Sequence, residues 1–152
     1  MKILSIGSDR KVFEEGSAVR SRLLDYGRLV DEIHIIVFTK KSQGFHEDSF
    51  AHNIFLYPTN ARSQWGYLYH AIREGRKLKR RGIEIDVVTA QDPFEAGLIA
   101  LILSRVFRAK LHLQIHTDFL SPYFSHESII NRKRVFLAKF LLRRADAVRV
   151  VS

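Results

Sequence analysis

Short apolar runs alternate with longer amphipathic stretches along the chain. Runs of Ile, Val and Leu bounded by turn residues predict buried strands, whereas apolar positions three or four residues apart predict helices. The apolar runs predict six strands, at residues 2–6, 32–38, 53–57, 85–89, 111–115 and 147–151. The helical spacing predicts four helices, at residues 17–29, 63–81, 94–107 and 129–144.

This alternation indicates the fold class. Continuous Ile/Val/Leu strands separated by helices are typical of a parallel sheet that is covered on both faces. We therefore predict an α/β fold with a Rossmann-like, doubly wound and mostly parallel sheet. Because the last predicted strand is followed by no closing helix, we expect residues 1–152 to be a truncated part of a longer protein.

The composition agrees with one globular domain. The chain has 152 residues, of which 46% are hydrophobic and 27% are charged, so disorder is not expected. It has no cysteine, which excludes disulfides and thiolate metal sites. The longest apolar run, residues 96–103, is far shorter than the roughly 20 residues that a membrane span needs. We do not expect an integral membrane protein.

The positive charge is concentrated in the second part of the chain. Residues 1–61 contain eight Lys and Arg against eight Asp and Glu, whereas residues 62–152 contain 17 against eight. A one-sided basic surface suggests a polyanionic partner, such as an anionic lipid surface, a phosphorylated substrate or a nucleic acid. The chain contains no recognisable nucleic-acid motif, so nucleic acid ranks last among these partners.

Ligands of a parallel sheet bind beyond the carboxyl ends of its strands. Four loops lie at such ends, at residues 7–17, 58–62, 90–94 and 116–124. The candidate substrate-binding residues in these loops are Gly7, Gly16, Ser17, Asn60, Gln91, Asp92, Thr117 and Asp118.

Two of these loops have a purely structural alternative. The first loop lacks a G-x-G-x-x-G fingerprint, but Gly16 and Ser17 precede a helix whose free amides favour a phosphate or a sugar hydroxyl. Ser17 is equally suited to cap that helix. Asp92 precedes Pro93 and suits either a helix cap or a hydrogen bond to an acceptor hydroxyl.

His116 is the candidate catalytic residue. It follows the fifth predicted strand within the stretch "QIHTDF", where an imidazole at the sheet edge suits chemistry. The structural alternative is a polar loop in which Asp118 satisfies backbone amides. The seven histidines are scattered, so we predict no metal site, and no G-x-S-x-G nucleophile motif is present.

The last predicted helix has apolar residues on two sides. Ile129, Phe136 and Phe140 share one face, and Ile130, Leu137 and Leu141 lie beside it. We expect this side of the helix to pack in the core. Val135 and Leu142 fall on the other side among cations, as expected of a helix that contacts an anionic bilayer. A solvated basic face with a second packing partner is the alternative. The membrane-contact candidates are Arg132, Val135, Lys139 and Leu142.

Five stretches of the chain form a familiar succession: "GSAVRSRLLDYGRLVDEIHIIVFT", "LYPTN", "TAQDPFEAGLIALIL", "LHLQIHTDF" and "LLRRADAVRVVS". Together they resemble the N-terminal domain of glycosyltransferase family 4, which comprises retaining enzymes of GT-B architecture. The resemblance covers essentially all 152 residues, and it depends on the order and spacing of the stretches rather than on any single motif.

The resemblance implies two Rossmann-like domains that face each other across a cleft. The N-terminal domain holds a glycan or lipid-linked acceptor, and the absent C-terminal domain holds the nucleotide-sugar donor, which is a substrate rather than a cofactor. His116 matches the histidine close to the transferring sugar, and Gly16 matches a glycine near the donor phosphates. The family pattern requires no metal. It further suggests a hexosyltransferase of polysaccharide biosynthesis that is cytoplasmic and peripheral at the inner face of the membrane.

Two features depart from the family pattern. A single glycine, Gly16, stands where paired glycines are usual, and the Glu-x7-Glu signature of the donor-binding half is absent. We therefore expect residues 1–152 alone to be inactive. The alternative function is a non-catalytic Rossmann-like module that binds an anionic membrane surface or another polyanion.

Overall fold

A seven-stranded sheet organises the chain. The computed structural model describes residues 1–150, and at positions 122 and 125 the backbone alone. The strands are β1 (Lys2–Gly7), β2 (Glu32–Val37), β3 (Asp48–Phe50), β4 (Ile54–Pro58), β5 (Val87–Ala90), β6 (Lys110–Ile115) and β7 (Ala147–Val150). The α-helices are α1 (Ala18–Gly27), α2 (Tyr67–Arg80), α3 (Glu95–Phe107), α4 (Pro122–Glu127) and α5 (Ile129–Leu142). Short 3-10 helices occupy Arg10–Phe13, Lys41–Gln43 and Gln64–Gly66.

The strand order is β3-β4-β2-β1-β5-β6-β7. Every neighbouring pair is parallel except β3 and β4, which are antiparallel. The predicted α/β, Rossmann-like and mostly parallel class is confirmed. Residue 151, the last of the predicted sixth strand, lies outside the described residues.

Two elements were absent from the sequence-based prediction. The edge strand β3 has three residues, DSF, and α4 has six, PYFSHE. Neither segment is long enough to show a hydrophobic period. Antiparallel pairing with β4 stabilises β3. Stacking of Phe124 on Phe94 stabilises α4.

Apolar side chains pack on both faces of the sheet. On one face, Ile33, Ile35 and Leu56 pack against the α1 residues Val19 and Leu23. The opposite face carries the larger core, to which α2, α3 and α5 contribute. Its fully buried side chains include Leu4, Ile6, Leu78, Ile99, Leu103, Leu113 and Leu141. Within residues 1–150, no helix combines the length and apolar composition that crossing a bilayer requires.

The packing of α5 agrees with the prediction in part, since Leu137 and Leu141 lie in the larger core as expected. Val135 and Leu142 are half-buried and pack against a cluster that contains Phe94 and Phe119. Ile129 and Phe136, which were expected in the core, are 73% and 76% exposed. The reason is the segment between β6 and α5, which folds back over the start of α3 and covers the Val135 side of the helix.

A buried histidine lies in the middle of the sheet. His34 on β2 is 2% exposed and stacks on Phe55, at 4.9 Å between ring centroids. Its Nδ1 lies 3.0 Å from the Tyr57 hydroxyl, and its Nε2 lies 3.0 Å from a Glu32 carboxylate oxygen. Burial lowers the pKa of His34 below its ordinary value of 6.5, although the Glu32 carboxylate acts in the opposite direction.

This burial predicts a loss of stability in mild acid. Since the folded-state pKa of His34 is depressed, the unfolded chain binds more protons as the pH falls below 6.5, and the free energy of unfolding decreases. One proton contributes a slope of at most about 1.4 kcal/mol per pH unit. We expect His34→Gln to flatten the pH dependence of the free energy of unfolding. Urea unfolding between pH 8 and 5, the range in which histidine ordinarily titrates, measures this effect.

His52→Gln is the matched control because His52 is exposed. It should reproduce the pH dependence of the unchanged chain. If His34→Gln and the unchanged chain had the same slope of unfolding free energy against pH, burial of His34 would not be the cause of the acid sensitivity.

Candidate functional site

The strand order reverses direction at the junction of β1 and β5. From β1 the chain proceeds outward to β2 and β4, and from β5 it proceeds outward on the other side to β6 and β7. In such a sheet the crevice beyond the carboxyl ends at this junction is the ordinary ligand site. Gly7 ends β1 and Gln91 follows β5, so both border the crevice.

Gly7 and Gln91 are in direct contact. A β-carbon built on Gly7 would lie 2.1 Å from Oε1 of Gln91, so any side chain at Gly7 would displace the Gln91 amide. The Gln91 backbone N–H also donates to the Ile6 carbonyl at 3.2 Å. Two candidates from separate loops therefore meet at the switch point.

A row of hydrogen-bonded polar side chains leads to His116. His112, Gln114 and His116 alternate along β6 and its carboxyl end, on the face turned away from Leu111 and Leu113 in the core. The Thr89 hydroxyl on β5 contacts His112 Nδ1 at 2.8 Å and accepts from Gln114 Nε2 at 3.4 Å. Thr89, His112 and Gln114 were not predicted as site residues because the link between them depends on the β5–β6 register. Only the spacing of two residues between His112, Gln114 and His116 was visible in the sequence.

The row orients the imidazole of His116. Gln114 Oε1 lies 3.1 Å from His116 Nε2, and because an amide oxygen only accepts, Nε2 carries the proton. Nδ1 of this exposed side chain is then the nitrogen available to a ligand. Burial, followed by the charge of Arg149, lowers the pKa of His112.

His112 and His116 have a spacing that resembles a metal motif. On an extended strand, four residues correspond to about 13 Å, which is too far for one ion to join both imidazoles. Within residues 1–150, no three His, Asp or Glu side chains are grouped as metal ligands. Operation without a metal stays a prediction.

Aromatic packing fixes the His116 loop. Phe119 is 2% exposed and meets Phe94 edge to face, with 6.0 Å between ring centroids. Phe124 stacks on the same Phe94 ring, with 5.7 Å between the two ring centroids. Thr117 and Asp118 are exposed within this loop. The loop after β6 is thus attached to the loop after β5.

Asp92 satisfies backbone amides at the start of α3. Its Oδ1 accepts from the Phe94 N–H at 2.8 Å, and the Ala96 amide lies near enough to lower its pKa. Burial nevertheless dominates and raises the pKa of Asp92. Phe94 holds the N-cap position of α3 without a side-chain cap, so the Asp92 carboxylate closes a turn that leads into the helix.

Ser17 is likewise occupied by structural hydrogen bonds. Its Oγ accepts from the Arg20 N–H at 3.2 Å and donates to the Lys11 carbonyl at 2.7 Å. Gly16 adopts a φ of 74°, which favours glycine, and the position of its absent β-carbon is open to solvent. The backbone at Gly16, rather than the Ser17 hydroxyl, is the part of this loop that a ligand can approach.

Asn60 lies beside a cavity on the other side of the switch point. The residue has a φ of 46°, and its amide donates to the Phe45 carbonyl at 2.8 Å while its Oδ1 accepts from Thr39 at 3.1 Å. It thereby joins the loops that follow β2 and β4, which enclose an open cavity of about 490 Å³. Another cavity, of about 440 Å³, contains Asp146 and lies at the amino edge of the sheet, away from every candidate.

Comparison with known proteins identifies the relationship of the chain. The model of the family described as Glycosyltransferase Family 4 matches residues 27–152. The fold is similar to that of the UDP-GlcNAc 2-epimerase from Methanocaldococcus jannaschii, with a TM-score of 0.58 and 11% sequence identity. That similarity covers 100% of this chain and 40% of the epimerase chain, and at this identity it concerns the fold alone. No curated protein matches the sequence.

The hydrogen bonds of Asp92 predict how its substitution acts. Asp92→Ala should lower the free energy of unfolding by about 1 kcal/mol because it removes the hydrogen bond from the Phe94 amide. Asp92→Asn should be at least as stable as the unchanged chain at neutral pH, since its amide oxygen can accept the same hydrogen bond and carries no buried charge. Urea unfolding measures both values.

Asp25→Ala, at an exposed carboxylate, is the control and should change little. Equal stabilities of the Ala and Asn variants of Asp92 would contradict the assigned role of this hydrogen bond.

Proposed function

The chain belongs to glycosyltransferase family 4, and from this premise we propose that it is the acceptor-side domain of a retaining sugar transferase. The proposed reaction moves a sugar from a nucleotide-sugar donor to a glycan or lipid-linked acceptor. We place the donor on a second domain, as the resemblance to the family implies. The nucleotide sugar is a substrate, and neither a cofactor nor a metal is needed.

One observation carries this proposal. The row from Thr89 through Gln114 ends at the exposed His116, beside the crevice that Gly7 and Gln91 border. A polar side chain held by its own neighbours at a ligand edge is preorganised, so binding does not first have to order it. That arrangement supports a role for His116 in contact with the substrate.

Retaining transfer sets specific demands on such a residue. The acceptor oxygen must be held against the anomeric carbon while positive charge develops on the sugar and negative charge on the leaving diphosphate. Nδ1 of His116 accepts from a sugar hydroxyl when the ring is neutral and donates when it is protonated. We assign it this polarising and positioning role rather than that of a covalent nucleophile.

Transfer by the full-length protein tests this role. His116→Ala should lower kcat/KM on the order of 10²-fold, the usual effect of losing one preorganised polar group at the reacting centre. Gln114→Leu should lower it less, because the imidazole remains but loses its orienting partner. Release of nucleoside diphosphate from a nucleotide sugar measures both effects.

His126→Ala is the matched control, since His126 is an exposed histidine on α4. Turnover of His116→Ala at the control level would contradict the role of His116. Transfer by residues 1–152 alone would contradict the need for a second domain.

A second candidate function, docking on an anionic membrane, has support from α5. The outward face of α5 exposes Ile129, Ile130 and Phe136, and the helix contains no carboxylate. Among residues 1–150, the α5 cation that pairs with a carboxylate is Arg134, which lies 2.9 Å from Glu95. The other α5 cations, Arg132, Lys133 and Lys139, remain available for lipid headgroups.

The basic stretch of α2 is less suited to this role. Lys77 pairs with Glu74 and Glu47, and Lys79 pairs with Glu84. These carboxylates neutralise part of the charge of α2. Docking through α5 is compatible with transfer to a lipid-linked acceptor, and it would place the protein peripherally at the cytoplasmic face of the membrane.

Vesicle co-sedimentation tests the docking. The chain should bind vesicles that contain phosphatidylglycerol more tightly than neutral phosphatidylcholine vesicles, and Phe136→Ser should weaken that binding about tenfold, through loss of apolar burial.

Leu29→Ser is the matched control because Leu29 is 80% exposed but lies outside α5. Equal sedimentation with neutral and anionic vesicles would remove this candidate.

A further inference from the structure

The cavity beside Asn60 is built from two loops at the ligand edge of the sheet. One loop follows β2 and the other follows β4, so the cavity opens at the same edge as the switch-point crevice. Its lining contains several basic side chains and no carboxylate. The lining residues are Lys41, Gly44, Phe45, His46, Asn60, Arg62, Ser63, Gly66 and His70.

The charges around this cavity are unbalanced. Lys41 and Arg62 are exposed, and within residues 1–150 neither forms an ion pair. The nearby Glu47 is engaged by Lys77 and Arg81, at 3.2 and 3.5 Å. The cavity therefore has a net positive potential that the described residues do not neutralise.

One polar atom in the lining, and the start of a helix, add to this character of the cavity. Nδ1 of His70 is buried and has no hydrogen-bond partner among the described residues. The 14-residue helix α2 begins at this cavity, with Gly66 at its N-cap position, no side-chain cap and no acidic residue in its first turn. The positive end of the helix dipole thus adds to the two cations.

An aromatic side chain stands at the margin of the cavity. Trp65 lies between the lining residues Ser63 and Gly66 in the chain and is 91% exposed. Tyr69, one helical turn later, is 67% exposed. An aromatic ring in this position can stack on a sugar whose anionic group occupies the cavity.

We propose that this cavity binds an anionic group, a phosphate or a carboxylate, of the saccharide acceptor. Lys41 and Arg62 hold the anion, and Trp65 covers the adjoining sugar. The inference rests on the proposed transferase function because it assigns a chemical class to the acceptor of that reaction.

The position of the cavity also constrains the acceptor's size. The cavity lies at the ends of β2 and β4, whereas His116 follows β6, three strands from β2. With neighbouring strands about 4.8 Å apart, the two places are separated by roughly 14 Å. The anionic group therefore sits away from the reacting hydroxyl, and the acceptor is longer than one monosaccharide.

The fluorescence of Trp65 offers a direct test, since it is the only tryptophan in the chain. The 152-residue chain is titrated with glucose 6-phosphate, with glucuronate and with neutral glucose. We expect an emission change with at least one anionic probe and none with glucose. Lys41→Ser/Arg62→Ser should weaken anion binding by about tenfold or more, through loss of charge-assisted hydrogen bonds.

Two further variants separate charge at the cavity from other effects. Arg22→Ser/Arg80→Ser removes the same charge at exposed positions outside the cavity and should bind within about twofold of the unchanged chain. Lys41→Arg/Arg62→Lys keeps the charge and should retain binding. A response to glucose 6-phosphate alone assigns a phosphate, and a response to glucuronate alone assigns a carboxylate.

Three results would overturn the inference. They are equal binding by the two serine double variants, an equal response to glucose, and no response to either soluble anion. Since binding is measured directly, failure of the full-length protein to transfer sugar would refute the transferase proposal and leave the anion site intact.

Discussion

The parallel pairing of β5 with β1 is the constraint on which the candidate site depends. It sets the switch point of the sheet and aligns Ile6 with Ala90, which leaves Gly7 and Gln91 side by side at the carboxyl edge. The missing side chain of Gly7 provides the space that the Gln91 amide occupies. The β5–β6 register then places Thr89 opposite His112, and the polar row to His116 follows from that alignment. The geometry of the candidate site therefore depends on the register of the strands more than on the conformation of any one loop.

The aromatic cluster around Phe94 links this site to the surface of α5. Phe119 and Phe124 anchor the loop after β6 on the loop after β5, and the same cluster receives Val135 from α5. Packing one side of α5 in this way leaves Phe136 on the outside. One set of contacts thus both positions the loop that carries His116 and determines which apolar side chains a partner can meet.

Much of the fold was predictable because parallel strands are continuous apolar runs with a strong local signal. The strand at β3 and the helix α4 were not, since three and six residues carry no period and tertiary contacts stabilise them. The burial of Ile129 and Phe136 on α5 was predicted wrongly because the helix is apolar on two sides, and the segment that packs on it decides which side is buried. At the site, the carboxyl-end rule located Gly7, Gln91 and His116, whereas the supporting row needed the inter-strand register, which is non-local information.

The ligand edge consists of two pairs of braced loops. Phe13 stacks on Phe45 at 4.5 Å and joins the loop after β1 to the loop after β2, while Phe94 joins the loops after β5 and β6. The crevice at the β1–β5 junction separates the two pairs, so a ligand that reaches both the basic cavity and His116 has to cross it. Because the two places are braced by different aromatic contacts and share no side chain, substitutions at one should add to substitutions at the other in free energy. Recognition of the acceptor and positioning of the reacting hydroxyl are then separable properties of the same sheet edge.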